Sequence, residues 1–103
     1  MNTIKPNDLT DFDTADFLKT EEDIAAYLSV VLEENDPNAL IDALNTISRA
    51  KGMGYLAQKT GLARESLYRS LRPDAKPRME TILKILQGIG IKLTAQPLHQ
   101  EAY

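Results

Sequence analysis

The sequence predicts an all-α domain of five helices, with an acidic N-terminal arm and one short C-terminal strand. Apolar residues recur at three- and four-residue steps through most of residues 20–89, which is typical of helices that bury one face. Capping and stop residues divide that pattern into five segments. The chain has 103 residues, of which 43% are hydrophobic, and this is enough for one domain with its own core.

The arm covers residues 1–19, which are polar and show no sustained periodicity. A first helix is predicted after Thr20, a residue type that caps helices, because three acids follow it where they complement the helix dipole. Asp23 stands at the capping-box position, in which Glu is usual. The helix is expected to end near Glu34, and its apolar stripe consists of Ile24, Tyr27, Leu28, Val31 and Leu32.

A second helix is predicted from Asp36 as its cap and Pro37 as its first residue, since proline is favoured at that position. It is expected to end within residues 51–54, where two glycines occur. Its core stripe consists of Leu40, Ile41, Leu44 and Ile47.

Two short helices follow, from Tyr55 to Thr60 and from about Ala63 to Leu71. Gly61 lies between them and can adopt the positive φ that a tight turn requires. This spacing predicts a helix-turn-helix unit over residues 55–71. The residues expected to hold its two helices together are Leu56, Ala57, Gly61, Leu62, Leu67 and Leu71.

If those residues face inward, the outer face of the fourth helix carries Arg64, Glu65, Tyr68 and Arg69. Arginine suits guanine edges and phosphates, and tyrosine can stack on a sugar or contact a thymine methyl group. The sequence therefore predicts that this face contacts DNA, although a purely structural helix pair would share the same core spacing. Flanking phosphate contacts are predicted for Lys59, Arg72, Lys76 and Arg78.

The last helix is predicted from about Met79 to Gly88, after a loop at residues 72–77, and Gly90 is its expected terminator. Its core side is expected to consist of Met79, Ile82, Leu83, Leu86 and Ile89. Residues 91–95 then alternate apolar and polar side chains, which predicts a short strand. Because a lone strand needs a partner, a second copy is the simplest one. A homodimer is therefore predicted through Ile91, Leu93 and Ala95.

The net charge of −3 conceals two halves of opposite sign. Residues 1–48 contain two bases against eleven acids, whereas residues 49–84 contain nine bases against three acids. The basic half suits a polyanion and the acidic half a basic protein partner, although two solvated faces would give the same composition.

Several function classes are excluded or unsupported. The chain has no cysteine, so disulfides, thiolate zinc sites and iron–sulfur clusters are impossible. His99, the single histidine, lies in a polar tail at residues 97–103 and has no second metal ligand nearby. The glycine-containing string at 52–57 follows a predicted helix rather than the strand that a dinucleotide loop requires. We expect no enzymatic activity, cofactor, metal or small-molecule substrate.

No secretory signal or apolar run of about 18 residues is present, so we expect a cytoplasmic protein without membrane contact.

Four segments match a known family pattern as they stand: FLKTEEDIAAYL at 17–28, RAKGM at 49–53, TGLARESLYRSL at 60–71 and TILKIL at 81–86. From Phe12 to Leu93 the chain resembles the addiction-module antidote proteins, the HigA-like antitoxins of the XRE/Cro-type helix-turn-helix superfamily. The resemblance implies a Cro/lambda-repressor-like fold, with a helical domain at residues 20–96. It also implies a cytoplasmic antitoxin that binds a RelE-fold toxin encoded in the same operon and represses their promoter as a dimer.

Carried over to this chain, the DNA-facing positions of that family are Arg64, Glu65, Tyr68 and Arg69. One position departs from the family pattern: Ala63 opens the recognition helix where serine is usual, and alanine can neither cap the helix nor contact a phosphate. In a dimer of this type the two recognition helices are expected about 34–36 Å apart, one turn of DNA.

The arm admits two interpretations. Its apolar residues Phe12, Phe17 and Leu18 either pack back onto the first helix or, together with neighbouring acids, bind the toxin. The function also has alternatives: a plain phage-type repressor without a toxin partner, or a protein-interaction module without DNA binding, for which Ala63 is an argument.

Overall fold

The computed structural model of the protein describes residues 17–98, which form five α-helices and no β-strand. The all-α prediction is confirmed for this part of the chain. Phe12 and His99, with the rest of residues 1–16 and 99–103, lie outside the described residues. The helices are α1 (Glu21–Glu33), α2 (Pro37–Lys51), α3 (Met53–Thr60), α4 (Arg64–Ser70) and α5 (Met79–Gly88).

The predicted caps at the start of α1 and α2 are confirmed. The Asp23 N–H donates to Thr20 Oγ1 at 3.0 Å, and the Thr20 N–H donates to Asp23 Oδ2 at 3.1 Å, which completes a capping box. Asp36 Oδ1 accepts from the Asn38 N–H at 3.0 Å, and Pro37 is the first residue of α2. These bonds satisfy N–H groups that have no partner within the helix, so both helices begin where the sequence predicts.

The junction between α2 and α3 is shorter than predicted. Gly52 alone separates the two helices, at φ +104°, and α3 begins at Met53 rather than at Tyr55. Met53 is buried in the core, and its side chain therefore anchors an extra half turn of α3. The Gly52 N–H donates to the Ser48 carbonyl at 2.8 Å and the Gly52 carbonyl accepts from Leu56 at 3.0 Å, so this glycine closes one helix and opens the next.

The end of α5 is a Schellman motif, which confirms Gly90 as its terminator. Gly90 has φ +84°, and its N–H donates to the Gln87 carbonyl at 3.1 Å. The Ile91 N–H donates to the Leu86 carbonyl at 2.8 Å. These two bonds are the pair that defines the motif.

All five helices contribute to one core. α3 is the central element, since it contacts α2, α4 and α5, while α1 packs on α2. The buried apolar residues are Leu18, Ile24, Leu28, Val31, Ile41, Ala43, Leu44, Ile47, Met53, Leu56, Leu67, Leu71, Ile85, Leu86 and Ile89.

The predicted core side of α5 is wrong at two positions. Met79 is 63% exposed and Leu83 is 42% exposed, whereas Ile85, which was not in the predicted stripe, is fully buried. The residues of α5 that face the core are Ile82, Ile85, Leu86 and Ile89. Their spacing is that of one helical face. Met79 and Leu83 therefore fall on the flank of that face.

The predicted strand at residues 91–95 is not seen. Residues 91–98 have no regular secondary structure, and residues 92–95 make no hydrogen bond to any described part of the chain. A strand requires a hydrogen-bonded neighbour, and residues 17–98 of one copy contain none. Ile91 is half-buried against the core, and Leu93 and Ala95 are exposed.

Candidate nucleic-acid interface

The turn between α3 and α4 is fixed by backbone geometry and by one side chain. Gly61 adopts φ +76°, as predicted, and its N–H donates to the Ala57 carbonyl at 3.0 Å. Thr60 Oγ1 donates to the Leu56 carbonyl at 2.7 Å and accepts from the Leu62 N–H at 3.2 Å. The threonine hydroxyl thus joins the last turn of α3 to the chain that enters α4.

The inner face of α4 is anchored in the core by residues predicted for that role. Leu56, Leu67 and Leu71 are at most 1% exposed. Ala57 and Leu62 are half-buried and pack against the same core. With its inner face held in this way, α4 has a defined outer face.

That outer face carries the four residues predicted to contact DNA. Arg64, Glu65, Tyr68 and Arg69 are all exposed, and Tyr68 and Arg69 each follow one of the others by one turn. Arg69 Nη2 donates to Ser66 Oγ at 3.4 Å, a contact within α4 itself. The face therefore combines guanidinium donors, a carboxylate acceptor and an aromatic ring, the groups that can contact base edges in a major groove.

The four predicted phosphate contacts are exposed but lie in two places. Arg72 and Lys76 lie in the loop between α4 and α5, and Arg78 is the N-cap residue of α5, without a capping bond from its side chain. Lys59 lies elsewhere, since it lines a cleft of about 330 Å³ between α3 and α5 together with Lys84. Its Nζ atom is 5.8 Å from the centroid of the Tyr55 ring.

The start of α4 has no side-chain cap. Ala63 is the N-cap residue, at φ −67° and ψ 149°, and no side chain bonds to the free N–H groups of the first turn. The backbone conformation is the one that a capping residue needs, but the alanine methyl group has no acceptor. The structure therefore confirms the prediction that no side chain caps α4.

One residue beside this face was not among the sequence predictions. Arg49, in the last turn of α2, lies with its guanidinium carbon 5.5 Å from the centroid of the Tyr68 ring. Its Nε donates to Asn45 Oδ1 at 3.3 Å. From the sequence, Arg49 contributes only its charge, because no spacing rule connects residues of two helices that are distant in the chain. The RAKGM match was the only signal that pointed to it.

Comparison with known proteins identifies the family. The sequence profile described as "probable addiction module antidote protein" matches residues 8–97, which is most of the chain. The chain belongs to this family. A protein from Haemophilus influenzae, described as an uncharacterized protein, is 34% identical to this chain over 88 residues, which cover 85% of this chain and 91% of the relative. No solved structure matches.

Membership in the antidote family suggests a regulatory, non-enzymatic protein of a toxin–antitoxin module and implies a toxin as partner. No helix in residues 17–98 is both long and apolar enough to cross a membrane. The same residues contain no group of three or more His, Asp or Glu side chains placed to hold a metal ion.

The apolar residues of the arm that the structure describes lie in different environments. Leu18 is 7% exposed and belongs to the core, which corresponds to the interpretation that it packs back onto the helices. Phe17 is 37% exposed and accessible to a partner. In this conformation, Phe17 therefore offers more accessible surface to a partner than Leu18.

A groove of about 660 Å³ runs between α1, α5 and residues 91–96. The three residues predicted for dimerisation, Ile91, Leu93 and Ala95, all line it. Its walls also include Leu32 and Met79, both exposed. The structure thus brings the three residues predicted for dimerisation together with apolar side chains that nothing in residues 17–98 covers.

Proposed function

We propose that this protein is the antitoxin of a type II toxin–antitoxin module, and that it represses its own promoter by binding operator DNA through α3 and α4 as a helix-turn-helix. The outer face of α4 carries the proposal. Leu67 and Leu71 hold that helix from inside, and Arg64, Tyr68 and Arg69 project from its other side. A helix held in this way can enter the major groove as a rigid unit.

The charge of this region supports the same proposal. Residues 49–84 carry nine bases and three acids, and none of the nine bases forms an ion pair with a described residue. Unpaired bases are free to neutralise phosphates and release counterions, which is the main source of affinity for DNA. Binding through Arg72, Lys76 and Arg78 would then orient α4 on the duplex.

The acidic half of the chain is proposed to bind and neutralise a RelE-fold toxin in the cytoplasm. Between residues 17 and 48 the chain has one base and seven acids. Toxins that cleave RNA need a cationic surface to hold it, and an acidic surface with apolar anchors such as Phe17 is complementary to such a toxin. Phe12, which lies outside the described residues, and Leu18 are the other anchors proposed from the sequence. Leu18 is buried in the core, so it would contact a toxin only after the arm separates from the helices.

A homodimer is proposed to form through residues 91–95. The backbone groups of residues 92–95 have no hydrogen-bond partner in residues 17–98 of one copy, and a second copy related by two-fold symmetry would satisfy them as an antiparallel strand pair. Apolar contact within the groove, from Leu93 onto Leu32 or Met79 of either copy, would add to the strand pairing. This arrangement would present two α4 helices to successive turns of the operator.

DNA binding is tested by fluorescence anisotropy with DNA from the region upstream of the gene and with a scrambled duplex, each at two salt concentrations. We expect a preference of about 10³-fold or more for the upstream DNA, and affinity that falls as salt rises. Replacing both Arg64 and Arg69 with alanine is expected to abolish most of that preference, at about 1–3 kcal/mol for each specific contact. Lys19→Ala with Lys84→Ala removes the same charge from residues outside α4 and is expected to retain the preference, because neither lysine is proposed to contact a base. Equal, weak binding of both duplexes by the wild type would favour a protein-interaction module instead.

The toxin is tested with the product of the neighbouring open reading frame. We expect it to arrest growth when expressed alone and to copurify with the antidote when the two are expressed together. A neighbour that is harmless and does not copurify would favour a plain repressor.

A further inference from the structure

We infer that Arg49, from a helix outside the helix-turn-helix, is part of the DNA-binding surface: it positions the Tyr68 ring and contacts a phosphate beside it. This inference rests on the proposed DNA-binding function and extends it to a residue that neither the spacing of the sequence nor the family pattern of the recognition helix assigns.

The first observation is the contact between the two helices. The Arg49 guanidinium carbon lies 5.5 Å from the centroid of the Tyr68 ring, within the range of a cation–π interaction. Tyr68 is 38% exposed, so part of its ring is open to a ligand while Arg49 lies beside it. The guanidinium from α2 therefore limits the orientations in which Tyr68 can approach a base or sugar.

The second observation is that Arg49 is itself held in place. Its Nε donates to Asn45 Oδ1 at 3.3 Å, one turn earlier on the same helix. It also stands in the last turn of α2, where the helix dipole favours a positive charge. Both interactions hold Arg49 on α2. The orientation of Tyr68 on α4 is therefore coupled to a helix that lies outside the helix-turn-helix.

The third observation concerns the donors that remain. A guanidinium has five N–H groups, and only the one on Nε has a hydrogen-bond partner in residues 17–98. The four N–H groups on Nη1 and Nη2 are thus available beside the outer face of α4. A planar guanidinium binds a phosphate through two parallel hydrogen bonds, a geometry that lysine cannot reproduce.

The test compares three variants in the anisotropy assay with upstream and scrambled DNA. Arg49→Met is expected to lower affinity for both duplexes, to reduce the salt slope by about 0.9 as one phosphate contact is lost, and to reduce the operator preference. Arg49→Lys keeps the charge and the salt slope but loses the planar guanidinium and its Nε bond to Asn45. Because an ammonium can retain part of a cation–π contact, we expect the operator preference to fall by at most about fivefold, the fold-change for complete loss of such a contact at an exposed site. Lys51→Met removes an equal charge at the same end of α2, without a ring contact, and is expected to leave the preference unchanged.

A double-mutant cycle distinguishes positioning from simple charge. If Arg49 acts through Tyr68, the loss of operator preference in Arg49→Met with Tyr68→Ala will be smaller than the product of the two single losses. In the free protein, ring-current shifts of the Arg49 Nε–H signal that vanish in Tyr68→Ala would report the contact directly by NMR. Independent losses, or an Arg49→Met variant that behaves like Lys51→Met, would overturn this inference alone. A wild type without operator preference would overturn the proposed DNA binding, and this inference with it.

Discussion

Gly88 at the end of α5 packs directly against Thr60 at the end of α3. A Cβ atom at residue 88 would lie 2.9 Å from Thr60 Cγ2 and 3.0 Å from Leu56 Cδ2. The Thr60 hydroxyl donates to the Leu56 carbonyl and accepts from the Leu62 N–H. If the Thr60 side chain rotated away from residue 88, both hydrogen bonds would be lost. The close approach of α5 thus depends on the same side chain that fixes the turn into α4.

Gly88→Ala is therefore expected to destabilise the protein by about 1–3 kcal/mol, the usual cost of overpacking. Gly54→Ala is the matched control, because residue 54 also lies in a helix and has nothing within 4 Å of an added Cβ. That variant should be neutral or gain up to about 1 kcal/mol. Urea unfolding of both variants checks this, and a stable Gly88→Ala protein would show that α3 and α5 can separate without cost.

Any residue other than glycine at position 61 would be strained by the backbone conformation, and not by contact with neighbouring side chains. Its φ is +76°, while the space around an added Cβ is open. Gly61→Ala is expected to cost about 1–2 kcal/mol, and Gly61→Asn less, since asparagine tolerates the left-handed conformation better. Thermal unfolding of the two variants provides the comparison. An equal loss in both would indicate that a contact, rather than the positive φ, makes glycine necessary there.

The features that the sequence predicted correctly are local ones. The Thr20–Asp23 capping box, the Asp36 cap and the positive φ of Gly61 each depend on a few consecutive residues. Because such signals act within one turn, they do not depend on how distant segments of the chain pack. The helix boundaries followed from them to within about two residues.

The features that the sequence could not predict depend on contacts between distant segments. The periodicity of α5 allows two overlapping stripes, and only packing against α3 excludes Met79 and Leu83 from the core. The contact between Arg49 and Tyr68 joins two helices for which no spacing rule exists. Alternation at residues 91–95 indicates a strand, but a strand forms only where a neighbour is present.

Ser48 carries a buried hydroxyl without a partner. The residue is fully buried, and its Oγ has no hydrogen-bond partner in residues 17–98. Since a buried, unpaired hydroxyl costs about 1–3 kcal/mol, Ser48→Ala is expected to stabilise the protein, by roughly 1 kcal/mol. Thr46→Val is the control, because the Thr46 hydroxyl donates to the Asp42 carbonyl at 3.2 Å and its removal should bring no gain. A rise in the urea midpoint for Ser48→Ala alone is the expected result, and a fall would mean that the hydroxyl is satisfied in solution.

Residues 91–95 test the proposed dimer. Leu93→Pro removes an N–H that a strand pair would use, and proline is not tolerated inside a ladder. We expect this variant to be monomeric by size exclusion with light scattering and to bind operator DNA much more weakly than the wild type. Leu98→Pro, at an 85% exposed position beyond the segment, is expected to remain dimeric. A dimeric Leu93→Pro protein would place the interface elsewhere.

Ala63 is the position at which one substitution should improve the protein. It is the N-cap of α4, with the extended backbone of a capping residue, and the N–H groups of the first turn have no side-chain acceptor. Ala63→Ser provides one, and such caps contribute about 0.5–2 kcal/mol. The same hydroxyl can donate to a phosphate at the start of α4, so operator affinity should rise along with the urea midpoint.

Ala63→Gly separates the effect on stability from the effect on DNA binding, because glycine is nearly as favourable as serine at the N-cap but has no group that binds a phosphate. If serine and glycine raise stability alike and only serine raises operator affinity, the gain comes from the phosphate contact. If neither changes affinity, the start of α4 does not approach the DNA backbone.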